Sequence, residues 1–383
     1  MPLVSLRPVL DAAMAHGYAQ GAFNVNAVAQ AEAVIGVHEM FRSPAILQGA
    51  DLANAFMGGR TDFTNGTLED KKKGAKNIAA AVQKYAKNSP IPIVLHLDHG
   101  KDFDSCVAAI EGGYTSVMID GSALPFDQNV ELTREVVKYA HARGVSVEGE
   151  LGVLAGVEDH VFAANSTYTN PLSAVEFFRK TGVDALAISY GTMHGANKGK
   201  NVKLRKEIPI AIRECMNHEG LHGALVSHGS STVPQYIVDE INAIGGDIQN
   251  AYGISKEELK AAIPCGISKI NVDTDIRLAV TRNLRELFQE RPELKSDKRI
   301  GGIWELLDKQ RSAYDPRAFL PPIMDTVMYG TGDDGTVALV TDAIRRGVRE
   351  VVGTLIVEFG SVGRAPLVEM VSLEEMAARY SKE

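Results

Sequence analysis

Residues 92–120 read PIVLHLDHGKDFDSCVAAIEGGYTSVMID. This stretch contains one complete unit of the chain's architecture. A short apolar run at 92–97 leads into a helical pattern carrying Cys106, Val107 and Ile110. Asp102 stands where a helix N-cap belongs, Gly112 and Gly113 stop the helix, and a second apolar run follows at 115–119. Short runs rich in Val, Ile and Leu, joined by helices, are the pattern of buried parallel strands with crossover connections.

Outward from this unit the pattern repeats. Further runs fall at 21–25, 44–48, 145–149, 184–189, 222–227 and 267–272. The helices between them show their ends. Asn26 is placed to cap a helix bearing Ala31, Val34, Ile35 and His38, and Val130, Val136, Val137 and Ala140 line another that ends by Gly144. Asn170-Pro171 opens a helix that Gly182 closes; Ser255 and Glu258 read as a capping box before Leu259 and Ile263, with Gly266 ending that turn. Eight such units predict an α/β fold, a closed (β/α)8 TIM barrel, where a doubly wound sheet more often has fewer strands. The barrel catalytic domain is expected over 1–290. A helical C-terminal extension over 291–383 is expected to pack on it and form a dimer interface. Residues 49–90 are long for one crossover, so an excursion and then a helix near 75–87 are expected. The long polar segments 151–169 and 191–207 follow the fifth and sixth runs and read as functional loops.

Composition narrows the function. The 383 residues are 45% hydrophobic and 23% charged, which excludes bulk disorder. A net charge of −8 disfavours non-specific nucleic-acid binding. No apolar run reaches a membrane span, and MPLVSLRPVLDAAMAHGY lacks the pattern of a signal peptide. Cys106, Cys215 and Cys265 form no CxxC, so a reducing, cytoplasmic setting is expected.

Position carries the chemistry, because a barrel builds its active site at the C-terminal ends of its strands. Those ends offer Asn24, Gln48, Asp98-His99, Asp120, Glu148 and Glu150, then His194, His228 and Asn271 with Asp273. His99, His194 and His228, each followed by Gly, suit one divalent ion with an open coordination position. His16, His38, His141, His160 and His218 read as structural. Asp98 beside His99 suits acid–base work next to a metal-bound carbonyl, and Asp120 and Glu150 suit supporting carboxylates or a second ion position. Glu158 lies in the long loop after the fifth run. Gly229-Ser230-Ser231-Thr232 and Asn271-Val272-Asp273-Thr274 suit an anion at the two loops that often hold phosphate, with Lys198 and Arg277 as nearby cations.

These motifs resemble the class II, metal-dependent fructose-1,6-bisphosphate aldolases. The resemblance runs through GAFNVN (21–26), VLHLDHG (94–100), VEGELG (147–152), YGTMHG (190–195), SHGSS (227–231), NVDTD (271–275) and YDPRAFL (314–320). It implies that His99, His194 and His228 hold a catalytic zinc, with cobalt or iron as ions the same donors accept. Asp120 and Glu150 are then the carboxylates of an alternative metal position. Asp98 takes the proton of the C4 hydroxyl and Glu158 exchanges a proton with the enediolate carbon. Asn24, Gly195, Lys198, Gly229, Ser231, Asn271, Asp273 and Thr274 fall on the substrate pocket, with a monovalent cation (sodium or potassium) nearby. Arg317 is implied to reach the second phosphate in a neighbouring subunit, which implies a homodimer or homotetramer working on small sugar phosphates.

Two positions depart from the family pattern. Ala50 stands where a Ser is common, and Val157 replaces one of a usual acidic pair. They leave related ketose bisphosphates (tagatose or sedoheptulose) open as substrates. A metal-dependent barrel hydrolase is a further alternative, although the first run ends Asn24-Val25-Asn26 without the HxH pair such enzymes favour. A regulatory barrel protein without catalysis ranks behind both. A lysine Schiff base would fall to Lys269, the one lysine on a strand facing the interior.

Overall fold

The computed structural model describes residues 3–158, 161–163 and 166–382. Eight parallel strands close into a barrel: β1 (Gln20–Asn24), β2 (Ala45–Ala50), β3 (Ile93–Gly100), β4 (Ser116–Ile119), β5 (Ser146–Leu151), β8 (Ala185–Ile188), β9 (Ala224–Ser227) and β10 (Ile267–Val272). Neighbours in sequence are neighbours around the barrel, and β1 pairs β10 to close it. The remaining strands, β6 (Gly156–Glu158) and β7 (Val161–Ala163), form a small antiparallel hairpin in the loop after β5. Each expected strand is present, displaced by at most a few residues.

The interior is layered. At the N-terminal end Ala22, Ile46, Val94, Ala185, Ala187, Ala224 and Val226 fill the bore. Helix Leu6–His16 closes this end, packing Leu6, Val9 and Leu10 against that layer. Above it the inward side chains turn polar: Gln48, His96, Ser116, Glu148 and Lys269, all fully buried. Since side chains alternate along a strand, the same inward faces carry Asn24, Asp98, Glu150 and Asn271 at the rim.

The sequence expectations fail in three local places. Asn26 does not cap the next helix; Ala27 is the N-cap, and the Gln30 side chain reaches back to accept from the Asn26 backbone N–H at 2.5 Å. Ser255 accepts from the Glu258 N–H, but the Glu258 carboxylate is taken by Lys203, Lys206 and the Leu204 N–H, so the box is half formed. The helix expected near 75–87 begins at Leu68, because Thr67 and Asp70 cap it reciprocally.

Beyond helix Thr274–Glu290 the chain forms short helical turns and then helix Gly335–Glu358. This long helix packs on Val28–Phe41 and Thr274–Glu290, the helices that follow β1 and β10. The last helix, Leu373–Tyr380, returns to the N-terminal end of the barrel. There Tyr380 stacks on His141 and donates to Asp184 at 2.8 Å. Among the described residues, no helix is long and apolar enough to cross a membrane.

Candidate active site at the C-terminal rim

Asp98 and His99 are adjacent, so a regular strand would turn them to opposite faces. The register of β3 against β4 shifts between Leu97 and Gly100, and His99 adopts φ +47°. The bulge re-aims the imidazole so that both side chains reach the bore. A positive φ at a non-glycine residue is uncommon, and it falls here at the centre of the rim.

Asp98 is braced from both sides. Asn24 Nδ2 donates to Oδ2 and Asn271 Nδ2 to Oδ1, each at 3.0 Å. Gln48 Nε2 in turn donates to Asn24 Oδ1 at 2.8 Å, which fixes that amide. Asp98 therefore accepts twice and is 1% exposed, yet it lies against the His99 donor cluster.

The three histidine rings gather around His99: its centroid lies 5.1 Å from His194 and 4.8 Å from His228, edge-on in both cases. Two sets of donor atoms lie within 4.8 Å of one another: Asp98, His99 and His228, and His99, Asp120 and Glu150. His194 belongs to neither set. The structure brings its ring to the cluster, edge-on to His99. His99 Nδ1 lies 3.1 Å from Asp120 Oδ2, and Ser122 holds the other Asp120 oxygen at 2.6 Å.

His228 has its Nε2 2.7 Å from Glu148 Oε1. Its Nδ1 lies 3.2 Å from Glu150 Oε2; both atoms are buried, and neither has hydrogen-bond geometry. Burial alone would push the histidines down in pKa. Asp98, Asp120 and Glu150 outweigh it and hold His99 well above its ordinary value; Glu148 and Glu150 hold His228 up at about 9. The pocket therefore has an excess of negative charge around imidazole nitrogens, the donor chemistry that a divalent cation satisfies.

Two loops form the rest of the rim. Gly229 at φ +59° lets its loop pass the Met193 backbone, where a Cβ would come within 2.5 Å of the carbonyl oxygen. Ser231 Oγ accepts from the Asp273 and Thr274 N–H groups at 3.2 and 3.1 Å, at the start of helix Thr274–Glu290. Asp275 accepts from Thr232 and Val233, so the two loops predicted to hold phosphate are stitched together. Lys198 is buried and donates to the Met193 carbonyl. Gly195, Asp273, Thr274, Arg277 and Arg317 line one cavity of about 380 Å³ with Phe63.

Arg317 lies at the edge of this cavity. It is 3% exposed, stacks 4.3 Å over the Phe63 ring and pairs with Asp315 at 2.8 Å, all within its own chain. Asp315 accepts from both its backbone N–H and its guanidinium, which fixes the side chain. Arg277, which also pairs with Asp315 and with Asp273, lines the same cavity; on the sequence alone its signal is weak.

Glu158 ends β6 at the tip of the hairpin; its side chain, like His160, lies outside the described residues. The base of that hairpin is anchored at the site, since the His194 N–H donates to the Ala155 carbonyl at 2.9 Å. Lys269 does face the interior, but below the rim and fully engaged with other side chains.

Comparison with known proteins decides the family. The family model described as fructose-bisphosphate aldolase class-II matches residues 4–331.

The chain belongs to the class II fructose-bisphosphate aldolase family.

Membership makes it a carbon–carbon lyase of the metal-dependent class. The fructose-bisphosphate aldolase of Giardia intestinalis is 39% identical over 383 residues, spanning 99% of this chain and all of that one. The Thermus caldophilus fructose-bisphosphate aldolase is 36% identical, spanning 95% of this chain and all of its own. Among solved structures, the YdjI aldolase from Escherichia coli K12 aligns at 25% identity with a TM-score of 0.64, covering 95% of this chain and 99% of that one.

Proposed function

We propose that this aldolase reversibly cleaves fructose 1,6-bisphosphate to dihydroxyacetone phosphate and glyceraldehyde 3-phosphate. The observation that carries this is the doubly braced Asp98 beside the His99 and His228 donors, at the mouth of a cavity that also presents Arg277 and Arg317. His99 and His228, with His194 completing the set, would hold zinc, and Asp120 and Glu150 would offer a second position. A divalent ion there supplies a Lewis acid to the ketone oxygen.

This chain's own residues do the rest. Asp98, held as an acceptor by two amides, takes the C4 hydroxyl proton as the C3–C4 bond breaks. Glu158 exchanges the proton at the enediolate carbon. Gly195, Lys198, Gly229, Ser231, Asp273 and Thr274 would bind the ketose phosphate with backbone N–H groups and one ammonium, with sodium or potassium beside them. Asn24 and Asn271 position Asp98 against the substrate, and Arg317 would hold the second phosphate, that of a neighbouring subunit as the family resemblance implies.

We further propose a cytoplasmic homodimer or homotetramer. Exposed Val357, Val362 and Met370 support an interface on the 291–383 extension, and three unpaired cysteines support a reducing compartment. A second substrate reading, tagatose or sedoheptulose bisphosphate, draws on Ala50. It pairs in register with Asp98 and brings no hydroxyl to the rim.

The deciding experiment assays cleavage of the three ketose bisphosphates before and after chelation, with zinc and cobalt added back. Activity on fructose 1,6-bisphosphate that chelation abolishes and metal restores supports the proposal. Activity that survives full chelation overturns the metal assignment, and preference for another ketose overturns the substrate.

A further inference from the structure

Below the rim, one buried ammonium touches both halves of the site. Lys269 Nζ lies 2.9 Å from Glu148 Oε2, 2.8 Å from Asn271 Oδ1 and 3.5 Å from His96 Nε2, with all four side chains buried. An ammonium has three protons and no acceptor; this one hydrogen-bonds to Asn271 and His96 and forms an ion pair with Glu148. Resting on the aldolase reading above, we propose that Lys269 is a positioning residue that couples the metal-holding arm of the site to its proton-transfer arm.

The first arm runs through Glu148. One of its oxygens faces Lys269 and the other lies 2.7 Å from His228 Nε2. A carboxylate only accepts, so Nε2 keeps a proton for Glu148, and Nδ1 is the nitrogen left to exchange its proton for a cation. Nδ1 is the atom turned toward Glu150 and the donor cluster. The salt bridge thus selects which nitrogen of His228 is offered to a cation, as outer partners of metal-bound histidines generally do.

The second arm runs through Asn271. Lys269 only donates, so the Asn271 oxygen must face it, and the amide NH2 is left to point at Asp98 Oδ1, 3.0 Å away. Without the cation the Asn271 oxygen loses its donor, and the Asp98 bond alone is left to hold the amide in this orientation.

His96 takes the third contact. Burial and the Lys269 charge keep it well below its ordinary pKa, hence neutral, and its Nδ1 lies 2.8 Å from Ser116 Oγ. The bore just below is filled with Ala and Val, so an apolar side chain would serve packing alone. A fully buried charge is costly to keep, and here its three partners lie on β3, β5 and β10.

The test titrates metal-free protein with Co²⁺, following affinity and the visible absorption of the bound ion. In parallel it follows two reactions: solvent exchange of the dihydroxyacetone phosphate C3 proton, which needs no C4 base, and full cleavage. Lys269→Met is expected to weaken Co²⁺ binding ~10–100-fold with a changed spectrum and to lower cleavage kcat at least ~10-fold. Glu148→Gln should reproduce the Co²⁺ defect. Asn271→Ala should slow cleavage more than exchange, with Co²⁺ affinity within ~3-fold of wild type.

A folded Lys269→Met protein with wild-type Co²⁺ affinity and spectrum overturns the coupling. So does an Asn271→Ala variant that loses Co²⁺ as badly as Glu148→Gln. If Lys269→Met does not fold, a double-mutant cycle between Glu148→Gln and Asn271→Ala decides: strict additivity in kcat overturns the proposal, and non-additivity beyond ~3-fold supports it. Wild-type protein that binds Co²⁺ but cleaves no ketose bisphosphate sinks the aldolase reading instead, and leaves the cobalt comparison intact.

Discussion

Asn24 donates to Asp98 across the β1–β3 side of the bore, 3.0 Å from Nδ2 to Oδ2, and Gln48 fixes the direction of that donation. The Asp98 carboxylate, proposed to take the substrate hydroxyl proton, is therefore held in place by the protein alone.

Replacing it isolates the chemical step. Asp98→Asn keeps the shape but puts an NH2 group against one of the two amide donors, and it removes the base. Cleavage kcat is expected to fall by about 10²–10⁴ while the melting temperature moves by only a few degrees. Steady-state kinetics with a parallel thermal melt check this; a drop below tenfold assigns the proton to another group.

Gly229 is a backbone prediction. Its φ of +59° and the Met193 carbonyl oxygen 2.5 Å from a would-be Cβ leave no room for a side chain. Gly229→Ala should displace the loop ahead of Ser231 and raise KM for the phosphorylated ketose. Added inorganic phosphate should also inhibit the variant less than wild type. An unchanged KM would place the phosphate elsewhere.

His38 gives a pH dependence of stability. It is fully buried, its Nδ1 lies 2.7 Å from the Val34 carbonyl, and burial lowers its pKa from 6.5 to about 4. Between those values the unfolded chain binds a proton that the folded chain refuses, so stability falls as pH drops from 6.5 toward 4. The full effect is about 3 kcal/mol. His38→Phe, packing against Phe23, should remove this slope. Melting curves of both proteins at pH 7 and pH 5 read it directly: the wild type should lose more than the variant.

Tyr380→Phe probes the other end of the barrel. The hydroxyl donates to Asp184 at 2.8 Å and lies 3.1 Å from Ser146 Oγ, all buried. Losing it should cost about 1–3 kcal/mol, seen as a lower melting temperature, with kcat and KM unchanged because the rim is on the opposite face. A loss of activity without a loss of stability would contradict this.

Much of the molecule is legible in its sequence, for physical reasons. Each barrel strand is a short apolar run, and polar residues gather at or just past its end, where the bore opens. So Asp98, His99, His194, His228 and Asn271 can be picked out by position alone. What sequence hides is geometry between non-neighbouring strands. Lys269 on β10 meets Glu148 on β5 across the bore, and no local pattern announces that contact. The bulge that turns His99 inward is equally silent, since a histidine rather than a glycine takes the positive φ. Nor does a motif such as YDPR announce that its arginine stacks on Phe63, a residue far away in sequence.

The helix Gly335–Glu358 lies across the two helices that flank the β1–β10 closure. During synthesis β1 emerges with one edge bare, and its partner leaves the ribosome only after Val272 has been made. The barrel is thus a ring whose two ends meet late, and this helix is the clasp over the joint. A nascent chain halted before Gly335 would hold every rim residue, Arg317 included, on a ring still free to gape, and protease should cut it first at that seam.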